Sequence, residues 1–243
     1  MASLVTQSRS ASGSRRLLVL GIAGATGLTM LVVPSTQHAD AAAGNSQSAT
    51  SAVSHDDSSS VRIRTAAQLQ FHDQMRKLWE DHVTWTRLAI VSFAGDLPDL
   101  QATTDRLLAN QTDIGNAIKP YYGDAAGDRL TVLLREHITT AVDILAAAKA
   151  GDNAAVKRAS DRWYANANQI ADFLAAANPH LSRTTMRATM REHLDETLSE
   201  AVNRLHGNYA ADVRDYDAIH HHILVMADTL SGAIMQQFPH RFR

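Results

Sequence analysis

Six polar residues fall at one level of an otherwise apolar helical pattern: His82, Asn110, His137, Asn166, His193 and His222. Four imidazoles and two carboxamides form a donor set with definite chemistry. Neutral imidazole nitrogen binds zinc, copper, nickel or iron, and an amide beside the ring fixes which nitrogen keeps its proton. Histidine also titrates near neutral pH, so a layer histidine can serve as a general base. The same residues can instead make a hydrogen-bonded core layer. A buried polar group without a partner costs roughly 1–3 kcal/mol, so all six need partners.

Periodicity supplies the elements that bring them together. From Ala66 onward, apolar residues recur at steps of three and four, the spacing of one helix face. One stripe runs Met75, Leu78, His82, Trp85, Ala89, Phe93, and another runs Leu130, Leu133, His137, Ala141, Ile144, Ala148. Their partners run Leu107, Asn110, Ile114, Ile118; Trp163, Asn166, Ile170, Leu174; and Ile219, His222, Met226, Leu230. Glycine followed by Asp at Gly95-Asp96 and Gly151-Asp152 marks helix ends and starts. Pro120 to Asp124 and Asn178 to Ser182 separate longer blocks. The expected helices cover about 65–94, 98–119, 124–150, 153–177, 183–206 and 208–237. The fold class is therefore all-α: an antiparallel bundle of about six helices, built as three hairpins repeating every 56 residues or so.

The repeat carries non-alanine residues with it. Asp105-Arg106 and Asn110 recur as Asp161-Arg162 and Asn166, and Arg135-Glu136-His137 recurs as Arg191-Glu192-His193. His82 lies 13 residues before Gly95, while His137 and His193 lie 14 before Gly151 and Gly207. Asn110, Asn166 and His222 each lie 15 after the same glycines. At about 1.5 Å rise per residue, every member sits roughly 20 Å from its turn, so each pair stands side by side. If the hairpins share a register, all six residues share a level. The expected metal ligands are His82, His137, His193 and His222. Asn110, Asn166, Trp85, Trp163 and Met226 are expected around them as supporting or ligand-binding contacts. A second repeat column, Asn116, Asp172 and Asp228, reads as solvent-facing. His220 and His221 flank His222 and are expected to be partly exposed.

Several chemistries are absent. There is no cysteine, which removes thiolate metal sites, iron–sulfur clusters and Cys nucleophiles. No Glu-x-x-His pair faces inward, since Glu136 and Glu192 lie directly beside their histidines, and no His-Glu-x-x-His motif occurs. Nucleophile-elbow and phosphate-loop motifs are missing as well. The net charge is −2, so nothing supports nucleic-acid binding.

The first residues read as an address. Arg9, Arg15 and Arg16 precede an apolar stretch from Leu17 to Val33, and small residues at Ala39, Ala41 and Ala43 fit a cleavage rule. Ser14 to Leu18 loosely resembles a twin-arginine signal. The expected organisation is a signal peptide over 1–43, a Ser-rich flexible spacer over 44–63 and a helical bundle over 64–243, secreted with no stable membrane anchor after cleavage.

Leu78-Trp79-Glu80-Asp81-His82-Val83-Thr84-Trp85-Thr86-Arg87 and Asn116-Ala117-Ile118-Lys119-Pro120-Tyr121-Tyr122-Gly123 resemble segments of a group of exported bacterial all-helical proteins. The likeness continues through Arg162-Trp163-Tyr164-Ala165-Asn166-Ala167 to the His-rich C-terminal helix. It implies an exported helical fold and no particular activity. Three functions stay open. The leading one is a binding protein holding a transition metal or small ligand at the His/Asn layer. Next is a non-catalytic structural or interaction protein of the envelope. The third is an enzyme using a layer histidine as base.

Overall fold

The computed structural model describes residues 63–243. The expected signal peptide and nearly all of the expected spacer lie outside the described residues. Six helices follow one another: α1 Ala66–Ala94, α2 Leu100–Tyr122, α3 Asp124–Lys149, α4 Asn153–Ala177, α5 Arg183–Leu205 and α6 Tyr209–Gln237, then a 3₁₀ turn at Pro239–Phe242. Local chemistry sets the starts. Thr65 and Gln68 form a reciprocal capping box on α1, Asp152 accepts from Ala155 N–H on α4, and Ser182 accepts from Thr185 N–H on α5.

Two boundaries differ from the sequence pattern. Pro120 does not end α2, which runs on to Tyr122. Proline in a last turn forfeits a single helical hydrogen bond, and Gly123, at φ 84°, then closes the helix by donating to the Lys119 carbonyl. The first hairpin turns on Asp96, not Gly95. Asp96 takes φ 52° where Gly151 and Gly207 take 71° and 74°. All three turns carry the same closing bond, from Leu97 N–H to Ser92, Asp152 N–H to Ala147 and Asn208 N–H to Asn203. Counted from these left-handed residues, His82, His137 and His193 are each 14 back. The irregular spacing of the first hairpin thus falls in its second arm.

Each helix packs on its neighbours in chain order, and α6 returns to α1, closing a ring. The three seams between hairpins are built differently. At α2–α3, a Cβ on Gly115 would stand 2.6 Å from the Gly127 carbonyl and 2.0 Å from the Thr131 hydroxyl, so only glycine permits that approach. Between α4 and α5, Arg187 grips Asp172 with two bonds; between α6 and α1, Arg76 grips Asp228, and His72 reaches the same carboxylate at 2.9 Å. Phe71, Tyr121, Phe238 and Phe242 close the end of the bundle away from the hairpin turns. There the Thr65 hydroxyl donates to the Phe242 carbonyl at 2.7 Å. No helix among the described residues is long and apolar enough to cross a membrane.

Candidate functional site

The layer forms, with one member displaced. His82, His137, His193, Asn110 and Asn166 are all buried. His193 on α5 is the hub. Its ring centroid lies 5.7 Å from that of His82, 6.4 Å from His137 and 6.1 Å from His222. His222 is a correction to the expected inward stripe. The buried row of α6 runs through Ile219, Ile223, Met226, Ala227 and Leu230. This row leaves His222 on the flank facing α5, with 12% of its side chain exposed.

One bond recurs in all three hairpins. Asn110 Nδ2 donates to the Leu78 carbonyl at 3.0 Å, and Asn166 Nδ2 donates to Leu133 at 3.1 Å. His222 Nε2 donates to Thr189 at 3.2 Å. Each acceptor lies four residues before the layer histidine of its own hairpin. A carbonyl oxygen only accepts, so these bonds orient the donors. Asn166 must then turn Oδ1 to His137 Nδ1, 3.0 Å away, which makes that ring nitrogen the protonated one. His222 must carry a proton on Nε2, which turns Nδ1 away from the Thr189 carbonyl.

In the first hairpin two residues share the work. Asn110 bonds the carbonyl, and Gln111 Nε2, with two hydrogens for three neighbours, stands 3.2 Å from His82 Nδ1, 2.8 Å from Leu107 O and 3.1 Å from Asn110 Oδ1. Gln111 was not foreseen, although the spacing held the signal. It lies 29 residues after His82, the interval that separates His137 from Asn166 and His193 from His222.

Buried atoms without partners mark the layer's unfinished parts: His193 Nδ1, Gln111 Oε1 and the indole nitrogens of Trp79 and Trp163. Burial, then the neighbouring His137, holds His82 down to about 3. Burial also takes His137 down to about 4, against the Asn166 bond. His193 is pushed well below the ordinary range by burial first and then by His82, His137 and His222. The buried rings are neutral near neutral pH.

The expected aromatic contacts are sorted by the geometry. Trp163 is buried and stacks on His137 at 5.2 Å. Trp85 does not join the layer: it is partly buried against Ala89, Leu107 and Ile138, under the Arg106 guanidinium. Trp79, six residues nearer the aromatic end, takes the place against His82 at 5.8 Å. Met226 is buried in the main core. His220 bonds Glu80 at 3.0 Å, and His221 is exposed. Asn116 is exposed as expected, whereas Asp172 and Asp228 tie helices together.

The ligand atoms that come together are not those of the four histidines. Among the described residues, one set of three acidic or imidazole side chains offers atoms all within 4.8 Å of one another: Glu192, Glu196 and His222. His82, His137 and His193 are in no such set. His222 Nδ1 stands 3.7 Å from Glu192 Oε2. Glu196 adds a carboxylate oxygen that is buried without a donor, and burial raises its pKa.

A second polar centre lies between the layer and the hairpin turns. Arg87 Nη1 donates to Glu200 at 2.6 Å and Asp212 at 2.8 Å, both carboxylates buried. Burial outweighs Arg87 and pushes Glu200 up to about 7. Glu200 occupies the repeat position of Ala89 and Ile144. A charged residue in an apolar column is the signal that could have found it.

Comparison with protein-family models, with curated proteins and with solved structures gave no match.

Proposed function

We propose that this chain is an exported, non-catalytic helical-bundle protein that binds a divalent transition metal at the α5–α6 edge of the histidine layer. The ligands are His222 Nδ1, Glu192 and Glu196. The observation that carries the reading is their convergence within 4.8 Å, with the imidazole proton committed to the Thr189 carbonyl on the other side of the ring. Donors bound about 2 Å from one ion stand roughly 3–4 Å apart. Glu192 is exposed, so its side chain is free to turn toward the other two. One imidazole and two carboxylates suit zinc, manganese, iron or nickel, and leave positions for water. The buried histidines His82, His137 and His193 belong to a core hydrogen-bond network instead, a second role supported by the carbonyl bond repeated in each hairpin.

Titration with Zn(II) or Co(II) alone, followed by calorimetry or cobalt absorption, tests the metal reading. We expect one ion per chain, binding lost in Glu196→Gln and His222→Asn, and binding kept in His82→Asn. Equal affinity in the wild type and both edge variants would overturn it. N-terminal sequencing of the protein recovered outside the cytoplasm tests export; an intact Met1 would contradict cleavage.

A further inference from the structure

The Arg87 centre joins three helices by unequal bonds. Glu200 on α5 and Asp212 on α6 are 1% and 0% exposed, and both accept from the same nitrogen, Arg87 Nη1. Asp212 accepts again from Arg87 Nη2 at 3.2 Å and from Arg204 at 3.4 Å. It also lies in the first turn of α6, where the free N–H groups of the helix favour a negative charge. Glu200 has only the bond to Nη1. On the α4 side it faces no charge. The register fixed by Tyr164 with Asp195 and by Asp172 with Arg187 sets the buried Ala159 opposite it. The other charges near it repel an anion: Asp215 on α6, and Glu196 one turn back on α5.

We infer that Glu200 is a proton-operated latch: ionised, it holds Arg87 as a brace from α1 to α5; protonated, it yields Arg87 to Asp212 and the brace is released. α1 and α5 are not consecutive in the ring, so this bond runs across the bundle while the seams run around it. Arg87 keeps its charge throughout, because a guanidinium does not deprotonate in a protein. Neutralising one of its two anions therefore decides where it goes. Both Nη groups can then turn to Asp212. The guanidinium lies over the Tyr216 ring at 4.8 Å, and the Tyr216 hydroxyl is set against Thr84, which keeps the group beside α6. The proton belongs to Glu200 and not to Asp212, since Asp212 has the more donors to its charged form. Burial, the largest influence, pushes the Glu200 carboxyl up to about 7 against the pull of Arg87, which puts the latch near neutral pH. His82 and His137 are held at about 3 and about 4 and take up protons well below that range.

Magnetic resonance of protein labelled with ¹³C-glutamate and ¹⁵N-arginine reads both partners. A chelator is kept present, so an ion at the α5–α6 edge plays no part. The Glu200 Cδ and Arg87 Nε resonances are expected to move together as pH rises, with one midpoint at about 7. Glu200→Gln keeps the shape of the carboxyl without its charge, so Arg87 should rest in its acid position at every pH. Asp212→Asn leaves Glu200 as the anion of Arg87, and the Glu200 midpoint should fall by about one pH unit or more, a tenfold loss of proton affinity. In the folded wild type, a Glu200 midpoint below about 5.5 overturns the latch. So does an Arg87 resonance that stays in place while Glu200 titrates, or a midpoint that fails to fall in folded Asp212→Asn. The two wild-type outcomes decide the matter even if that variant does not fold.

Discussion

The second and third hairpins solve the same problem with different second-arm residues, and the difference explains both unusual features of the layer. Asn166 carries two heteroatoms on one end. Its nitrogen takes the Leu133 carbonyl while its oxygen takes the proton of His137, so the pair is complete. His222 makes the equivalent bond to Thr189, but its second nitrogen lies across the ring and faces Glu192. His193 is left without a partner at Nδ1. One substitution of amide by imidazole therefore removes a bond from the core and delivers a ring nitrogen to the surface. The apparent gain of a fourth core imidazole is the reverse of what the position does.

Acid should break the comparison most strongly, because it acts on the complete hairpins as well. His82 and His137 sit at about 3 and about 4 in the fold and near the ordinary histidine value when unfolded. A lowered histidine pKa contributes nothing unfavourable above the unfolded value, and stability is lost as pH falls below about 6.5 toward the folded values. At pH 5 each ring should cost about 2 kcal/mol relative to pH 7.5. Urea unfolding across that range measures it, and a flat stability profile would show that the rings are not held neutral.

The next effect separates the first two hairpins. Asn166→Leu leaves His137 Nδ1 and a second carbonyl lone pair unmet, and should cost about 2–3 kcal/mol. Asn110→Leu should cost about half as much, since Gln111 still reaches His82. Equal losses would mean that Gln111 does not share the task.

His222→Asn turns the third hairpin into the second. The new amide can take the Thr189 carbonyl and accept from His193 Nδ1, so stability should rise by about 1 kcal/mol while metal binding disappears. A variant that is more stable cannot have lost its ion by unfolding, which makes this the most informative single change. The smallest effect belongs to the seams. Asp228→Asn weakens a half-exposed ion pair and should change stability by less than about 1 kcal/mol at moderate salt. A larger loss would move the weight of the ring closure from apolar packing to the Arg76 pair.

Much of this architecture was legible from periodicity. Helix positions followed from apolar spacing and from capping residues such as Asp152 and Ser182, and five of the six layer residues are buried where the turn counts put them. What failed was angular. Counting from a turn fixes height along a helix to within a residue, whereas the direction of a side chain changes by about 100° for each residue. His222 and Ile223 are equally compatible with the count, and in the packed bundle it is Ile223 that enters the core while His222 lies against α5. Gln111 was hidden by its neighbour Asn110, which matched the dominant 56-residue step. The edge set was invisible for a different reason. Glu192 and Glu196 meet His222 across two helices, and no single-helix pattern contains that crossing.

The bond between Thr65 and Phe242 has a topological consequence. The two ends of the bundle domain touch, and α6 packs on α1 as α2 packs on α3 and α4 on α5. In space there is no first hairpin. The bundle could be joined between Thr65 and Phe242 and opened at the loop before α3 or α5, and every helix would keep both neighbours. Linear order is here a property of how the polymer is threaded, and the arrangement of the helices is indifferent to it.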